Sequence, residues 1–178
     1  MARKGRVVIA GAATGLLLVA FGKSFVAPTP AGAAVFPENI DIPSIDVDAP
    51  LMKLKLEKSG DLQLPPFDKP KMAGWYTGSA VPGDKGASVI VGHVDTKTAP
   101  AVFFKLRQIR KGALIKVERS DGKTAEYKVD SVEQIPKTDF PAKRVYVENG
   151  LKLVTCGGQF DYAKGEYVDN IIVYASPA

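Results

Sequence analysis

A thiol and an imidazole stand out chemically, because the 178-residue chain holds one of each, Cys156 and His93. Each ends an apolar run. His93 follows ASVIV and Gly92, and Cys156 follows LKLVT and runs directly into Gly157 and Gly158. Strand ends that feed glycine-containing loops are where a rigid scaffold can present reactive side chains to a cleft. A free thiol, with a pKa of about 8.5, is a weak nucleophile at neutral pH and becomes effective when a cation such as imidazolium stabilises the thiolate. The imidazole can then supply the proton that a departing amine needs. One cysteine and one histidine are therefore the smallest set for acyl transfer through a thioester. Against this stands the ordinary role of a lone cysteine as a small buried hydrophobe.

Composition narrows the alternatives. A single cysteine makes no intramolecular disulfide and no zinc site built on several thiolates. The acidic residues do not cluster at metal-ligand spacing, so neither calcium nor another metal is expected, and no cofactor is implied. The formal net charge is +5, and Arg3, Lys4 and Arg6 crowd the N-terminus. No basic stripe interleaved with aromatics follows, which argues against a nucleic-acid partner. An apolar share of 46% and a charged share of 24% suit a globular domain.

The elements that must position the pair can be read along the chain. Residues 7–21 (VVIAGAATGLLLVAF) are apolar and follow three positive charges, the pattern of a segment whose N-terminus stays in the cytoplasm. Residues 1–26 read as a membrane helix or as a cleaved signal segment, with Ala31-Gly32-Ala33 an acceptable cleavage site; both readings export the rest. Residues 27–37, rich in Pro and Ala, read as a linker, and 38–178 as one folded domain. Within it, 39–47, 51–56, 62–64, 87–91, 113–118, 124–134, 151–155 and 170–175 have strand character, 51–56 and 62–64 forming an expected hairpin. Asp121-Gly122 marks another hairpin between two longer strands. Residues 101–109 (AVFFKLRQI) are the one expected helix of the body. About eight strands with a turn every ten residues or so describe an all-β barrel or sandwich.

The words around the pair resemble those of the sortase family. Val91-Gly92-His93-Val94-Asp95-Thr96 resembles its histidine motif, and Leu153-Val154-Thr155-Cys156 its cysteine strand. Cys156-Gly157-Gly158-Gln159-Phe160-Asp161, with Tyr167-x-Asp169-Asn170-Ile171-Ile172-Val173, is similar to the class F sortases of actinobacteria. Ile42-Pro43-x-Ile45-x-Val47 and Ala73-Gly74-Trp75-Tyr76 resemble the family's first strands, so the likeness covers residues 38–175. The resemblance implies a closed eight-stranded β-barrel with one or two short helices, behind an N-terminal membrane helix. It also implies a cysteine transpeptidase that cuts a Leu-Pro-x-Thr-Gly-like sorting signal through an acyl-thioester on Cys156, with His93 as general acid/base. The acyl group would pass to an amine of a cell-wall (peptidoglycan) precursor. The expected location is the cell membrane, single-pass, with the catalytic domain outside.

The chain departs from the family pattern at one place. Sortases usually carry an arginine on the last strand that binds substrate and helps stabilise the oxyanion, and no arginine follows Cys156. Asn170 falls at about that position and can donate a hydrogen bond without the charge. Arg144, and more weakly Lys164, are the other candidates. Asp95 is a candidate for orienting His93, and Trp75 and Tyr76 for the barrel core or a cleft wall. The alternative function is an inactive, membrane-tethered binding module on the same barrel.

Overall fold

From Pro37 onward apolar and polar residues alternate, and the strands so encoded close on themselves. The computed structural model describes residues 34–178. Its strands are β1 (Pro37–Ile42), β2 (Val47–Leu54), β3 (Ala73–Tyr76), β4 (Ala87–Val91), β5 (Leu114–Arg119), β6 (Thr124–Pro136), β7 (Gly150–Asp161) and β8 (Glu166–Pro177). They form a closed barrel in the order β1-β2-β3-β4-β7-β8-β6-β5, with β5 returning to β1. β2–β3 and β4–β7 run parallel, and the other neighbours antiparallel. The expected membrane segment and residues 27–33 of the expected linker lie outside the described residues, while Pro37, its last residue, already belongs to β1. Among the described residues no helix is long and apolar enough to cross a membrane.

Alternation sends each strand's residues to two different cores. One face fills the barrel with Ile40, Ile42, Trp75, Ile90, Ile115, Val117, Leu151, Leu153 and Val173. The Trp75 indole N–H is buried there and donates to the Ala80 carbonyl at 3.1 Å. The other face of the β2, β3, β4, β7 and β8 wall carries Leu54, Val89, Val91, Ile172 and Tyr174. A short helix, α1 (Ala142–Tyr146), covers this outer face and buries Val145 on it. The outer core matters for function, because Val91, the last residue of β4, and Val154 of β7 face it.

Three expectations about elements need correction. Residues 101–109 are not an α-helix. They form successive turns and a 3₁₀ helix at Leu106–Gln108, with i→i−3 bonds from Phe104 to Ala101, Leu106 to Phe103 and Ile109 to Leu106. The reason is the spacing. Buried Phe103, Leu106 and Ile109 recur every three residues, which puts them on one side of a 3₁₀ helix that plugs the barrel end. The segment 39–47 is not one strand either. β1 stops at Ile42, Pro43–Ile45 make a 3₁₀ turn, and Asp46 takes a left-handed conformation (φ 55°) before β2 begins. The expected hairpin of 51–56 with 62–64 is reduced to one bridge, Leu56 to Leu62, because β2 is occupied by β1 on one side and β3 on the other.

Candidate active site

The β4–β7 ladder brings the histidine and the cysteine together. Ala87 pairs with Gly150, and the register runs unbroken to Val91 with Val154. The Gly92 N–H donates to the Val154 carbonyl at 3.1 Å, and the Thr155 hydroxyl to the Gly92 carbonyl at 2.7 Å, a buried bond across 63 residues. His93 and Cys156 have that same separation, so the offset of the ladder, carried two residues past its last pair, sets His93 level with Cys156. Both continue the alternation of Val91 and Val154, which face the outer core. Gly92 lets the Val102–Phe103 segment pack close against the chain just before His93: a Cβ there would meet Val102 Cγ1 at 2.6 Å and Phe103 at 2.7 Å.

His93 is buried. Its cover comes from the connection between β2 and β3. The ring's Nε2 lies 2.6 Å from the Pro65 carbonyl oxygen, and the Phe67 ring stacks on the imidazole at 4.3 Å between centroids and 17° between planes. Consequently His93 does not line the 260 Å³ cleft that opens beside Cys156, which is walled by Val94, Phe104, Arg107, Gln108 and Tyr167.

Cys156 is partly buried. Burial pushes its thiol above the ordinary range. Lys137 opposes that shift, while Glu166 and Asp95 add to it. The resting sulfur is therefore the protonated thiol at neutral pH, and its proton must leave when it reacts. Alkylation by iodoacetamide should keep accelerating above pH of about 8.5, where an unperturbed thiol is half ionised. A rate that levels off below a pH of about 8 would contradict this reading of the thiol's surroundings.

The remaining candidates sort clearly. Asn170 pairs directly with Cys156 across the β7–β8 ladder, and with Ile135 of β6 on its other side. Directly opposite residues share a face, so the amide and the thiol stand on the same side of the sheet. Arg144 is elsewhere. Its guanidinium binds Glu133 at 2.5 Å and lies over the Tyr174 ring at 3.8 Å, four residues and roughly 13 Å along β8 from Asn170. Lys164 is exposed beside Asp161, 3.9 Å away. Asp95 does not bind the imidazole; its carboxylate accepts a hydrogen bond from the Tyr167 hydroxyl, whose pKa is pushed up to about 12 mainly by that bond. Trp75 belongs to the barrel core, while Tyr76 lies on the outer side with its ring edge-on to Tyr146.

Sequence reasoning missed Pro65, Phe67 and Arg107. The first two belong to an 18-residue connection whose ends are 21 residues or more from His93 in sequence, and only its Pro-Pro step signals order. Lys152 was also unforeseen as a buried cation. Its ammonium donates to the carbonyls of Asn149 at 2.7 Å, Gly150 at 3.3 Å and Glu148, and so fixes the turn from α1 into β7.

The closed barrel, with a histidine just past the end of β4 and a cysteine within the adjacent parallel strand β7, defines the class of protein. Its sortase domain spans residues 40–178, and the chain belongs to the sortase family. Among solved structures it is similar to sortase A from Corynebacterium diphtheriae, at 23% identity and TM-score 0.58, over 80% of this chain and 60% of that one. It is likewise similar to sortase C-1 from Actinomyces oris, at 23% identity and TM-score 0.59, over 79% of this chain and 72% of that one. A Clostridium perfringens sortase D5 transpeptidase matches at 20% identity and TM-score 0.58, over 80% of this chain and 79% of that one. These likenesses speak for the fold. The chain spans 60% of the length of the C. diphtheriae chain. No curated protein matches.

Proposed function

We propose that this chain is a cysteine transpeptidase that cuts a Leu-Pro-x-Thr-Gly-like sorting signal and passes the acyl group to an amine of a cell-wall precursor. The observation that carries the reading is the 63-residue offset of the β4–β7 ladder, which is also the separation of His93 from Cys156. In the proposed reaction the Cys156 sulfur attacks the Thr carbonyl carbon while His93 takes the thiol proton. The tetrahedral intermediate collapses, the Thr–Gly C–N bond breaks, and His93 returns the proton to the departing glycine amine. The incoming amine then loses a proton to His93 and displaces the thiolate. Substrates are sorting-signal peptides of exported proteins. Residues 1–26 hold the chain in the membrane with the barrel outside. The glycine-rich run after Cys156 and the Tyr167–Val173 motif support a class F assignment within the family.

Incubating the chain with a Leu-Pro-x-Thr-Gly peptide, with and without an amine acceptor, tests the proposal. Expected are an acyl adduct on the peptide containing Cys156 and its conversion to an amide product when the amine is present. No adduct and no cleavage would favour the inactive binding module, which the lack of an arginine after Cys156 already suggests as a second reading.

Asn170 is proposed as the oxyanion donor in place of that arginine. Asn170→Ala is expected to lower turnover by about 10²–10³, the range for losing one such donor. Arg107 supplies the comparison, since it lines the cleft beside Cys156 on the other side. A larger loss in Arg107→Ala than in Asn170→Ala would move the oxyanion role to Arg107.

A further inference from the structure

The connection between β2 and β3 is built as a strap across His93. Its near end is tied by the Gln63 N–H on the carbonyl of Lys55, the residue that follows β2, at 2.9 Å, and its far end by the Val102 N–H on the Pro70 carbonyl at 2.7 Å. Between these ties lies Pro65-Pro66-Phe67. The pyrrolidine ring of Pro65 fixes its own φ, and the following Pro66 confines its ψ to the extended range. Both soft dihedrals that aim the Pro65 carbonyl are thus restricted by sequence alone. That oxygen is the atom 2.6 Å from His93 Nε2.

A carbonyl oxygen only accepts hydrogen bonds, so Nε2 must carry a proton to make this contact. In the neutral ring the other nitrogen, Nδ1, is then the acceptor. Phe67 settles the plane of the ring. Its face lies nearly parallel on the imidazole, although the residue is 67% exposed and its other face meets solvent. An exposed phenylalanine costs solubility and adds little to a core, so its one structural contribution here is this stack. Carboxylate help is lacking on this side, since Asp95 is committed to Tyr167.

We propose that residues 65–67 form the positioning element of His93. The Pro65 carbonyl holds the proton on Nε2, Phe67 fixes the ring plane, and Nδ1 is left to take the Cys156 proton and return it to the leaving amine. This role, which a carboxylate or side-chain amide fills in other cysteine–histidine pairs, falls here to a main-chain oxygen. The inference rests on the transpeptidase reading for its catalytic meaning, and on the hydrogen bond alone for its structural meaning.

A chain with one histidine makes the test direct, because every imidazole signal belongs to His93. In the full ¹⁵N-labelled chain, long-range ¹H–¹⁵N spectra of the neutral ring should show Nε2 protonated and Nδ1 bare. The Nε2–H should appear as a downfield proton that exchanges slowly with water. Phe67→Ala should lose that slow exchange and lower kcat on the sorting peptide by about 10- to 100-fold with KM within about twofold. Phe67→Trp, which keeps an aromatic face, should restore both. A parent spectrum with the proton on Nδ1, or with no protected N–H, would overturn the assignment, whether or not the chain cleaves peptide. Turnover that is unchanged or faster in Phe67→Ala would overturn it too, since the strap would then be a cover over His93 and not its support.

Discussion

Cleavage of a Leu-Pro-x-Thr-Gly peptide should fall by at least about 10⁴-fold when Cys156 is replaced by alanine, because the proposed reaction has no second nucleophile. The fold should survive the change. Cys156 is only partly buried, its side chain makes no contribution to the β7 backbone ladder, and alanine is smaller than the thiol it replaces. The melting temperature should therefore stay within a few degrees of the parent's, about what a 1 kcal/mol change produces in a domain of this size. Peptide cleavage followed by chromatography, paired with a thermal melt on the same sample, separates chemical loss from structural loss. Residual turnover within tenfold of the parent in a folded Cys156→Ala protein would remove Cys156 from the reaction.

Much of the barrel was legible because its strands announce themselves locally. Ala87–Val91 is apolar but for Ser88, and the structure shows it buried on both faces: the interior core takes Ile90 while the outer core takes Val89 and Val91. Asp121-Gly122 gave the β5–β6 hairpin, whose register runs from Leu114 with Lys128 to Glu118 with Thr124. The apolar spacing at residues 101–109 was readable as a helix but not as the right helix, since a period near three and a period of 3.6 differ little over nine residues. α1 was not foreseen. It has five residues, and its placement depends on the outer core that Val145 helps to fill.

The candidate site divides along the same line. The offset between His93 and Cys156 could be counted in the sequence, yet its meaning comes from a parallel pairing of β4 with β7 that no local pattern specifies. Asn170 was reached by counting along the last strand, and the ladder does set it opposite Cys156. The strap was invisible for a physical reason. A loop's contacts are set by where its ends are anchored, and these ends are fixed by Lys55, the residue that follows β2, and by the main chain at Val102. For the same reason the reading of Asp95 as an orienter of His93 failed. Proximity in sequence to a histidine says nothing about Tyr167, 72 residues away, which takes the carboxylate instead.

Replacing His93 is expected to be nearly as damaging as replacing Cys156, and the choice of substitute decides what the experiment means. Alanine would strip the Pro65 carbonyl of its donor and Phe67 of its stacking partner. A buried acceptor left unpaired costs about 1–3 kcal/mol, so His93→Ala mixes a structural effect with a chemical one. Glutamine is the sharper probe. Its side-chain amide can still donate to the Pro65 oxygen, but it neither takes a proton from a thiol nor returns one to an amine. His93→Gln should therefore keep the parent's melting temperature and lose at least about 10²-fold in peptide cleavage. The loss should depend on the leaving group. A thioester in place of the Thr–Gly amide departs as a thiolate and needs no proton, so His93→Gln should recover most of its turnover on that substrate, measured at alkaline pH, where the thiol that burial has pushed up ionises without a neighbouring base. Equal losses on amide and thioester would mean that His93 serves only to place the thiol. A loss below tenfold on the amide would assign the proton transfer to another residue.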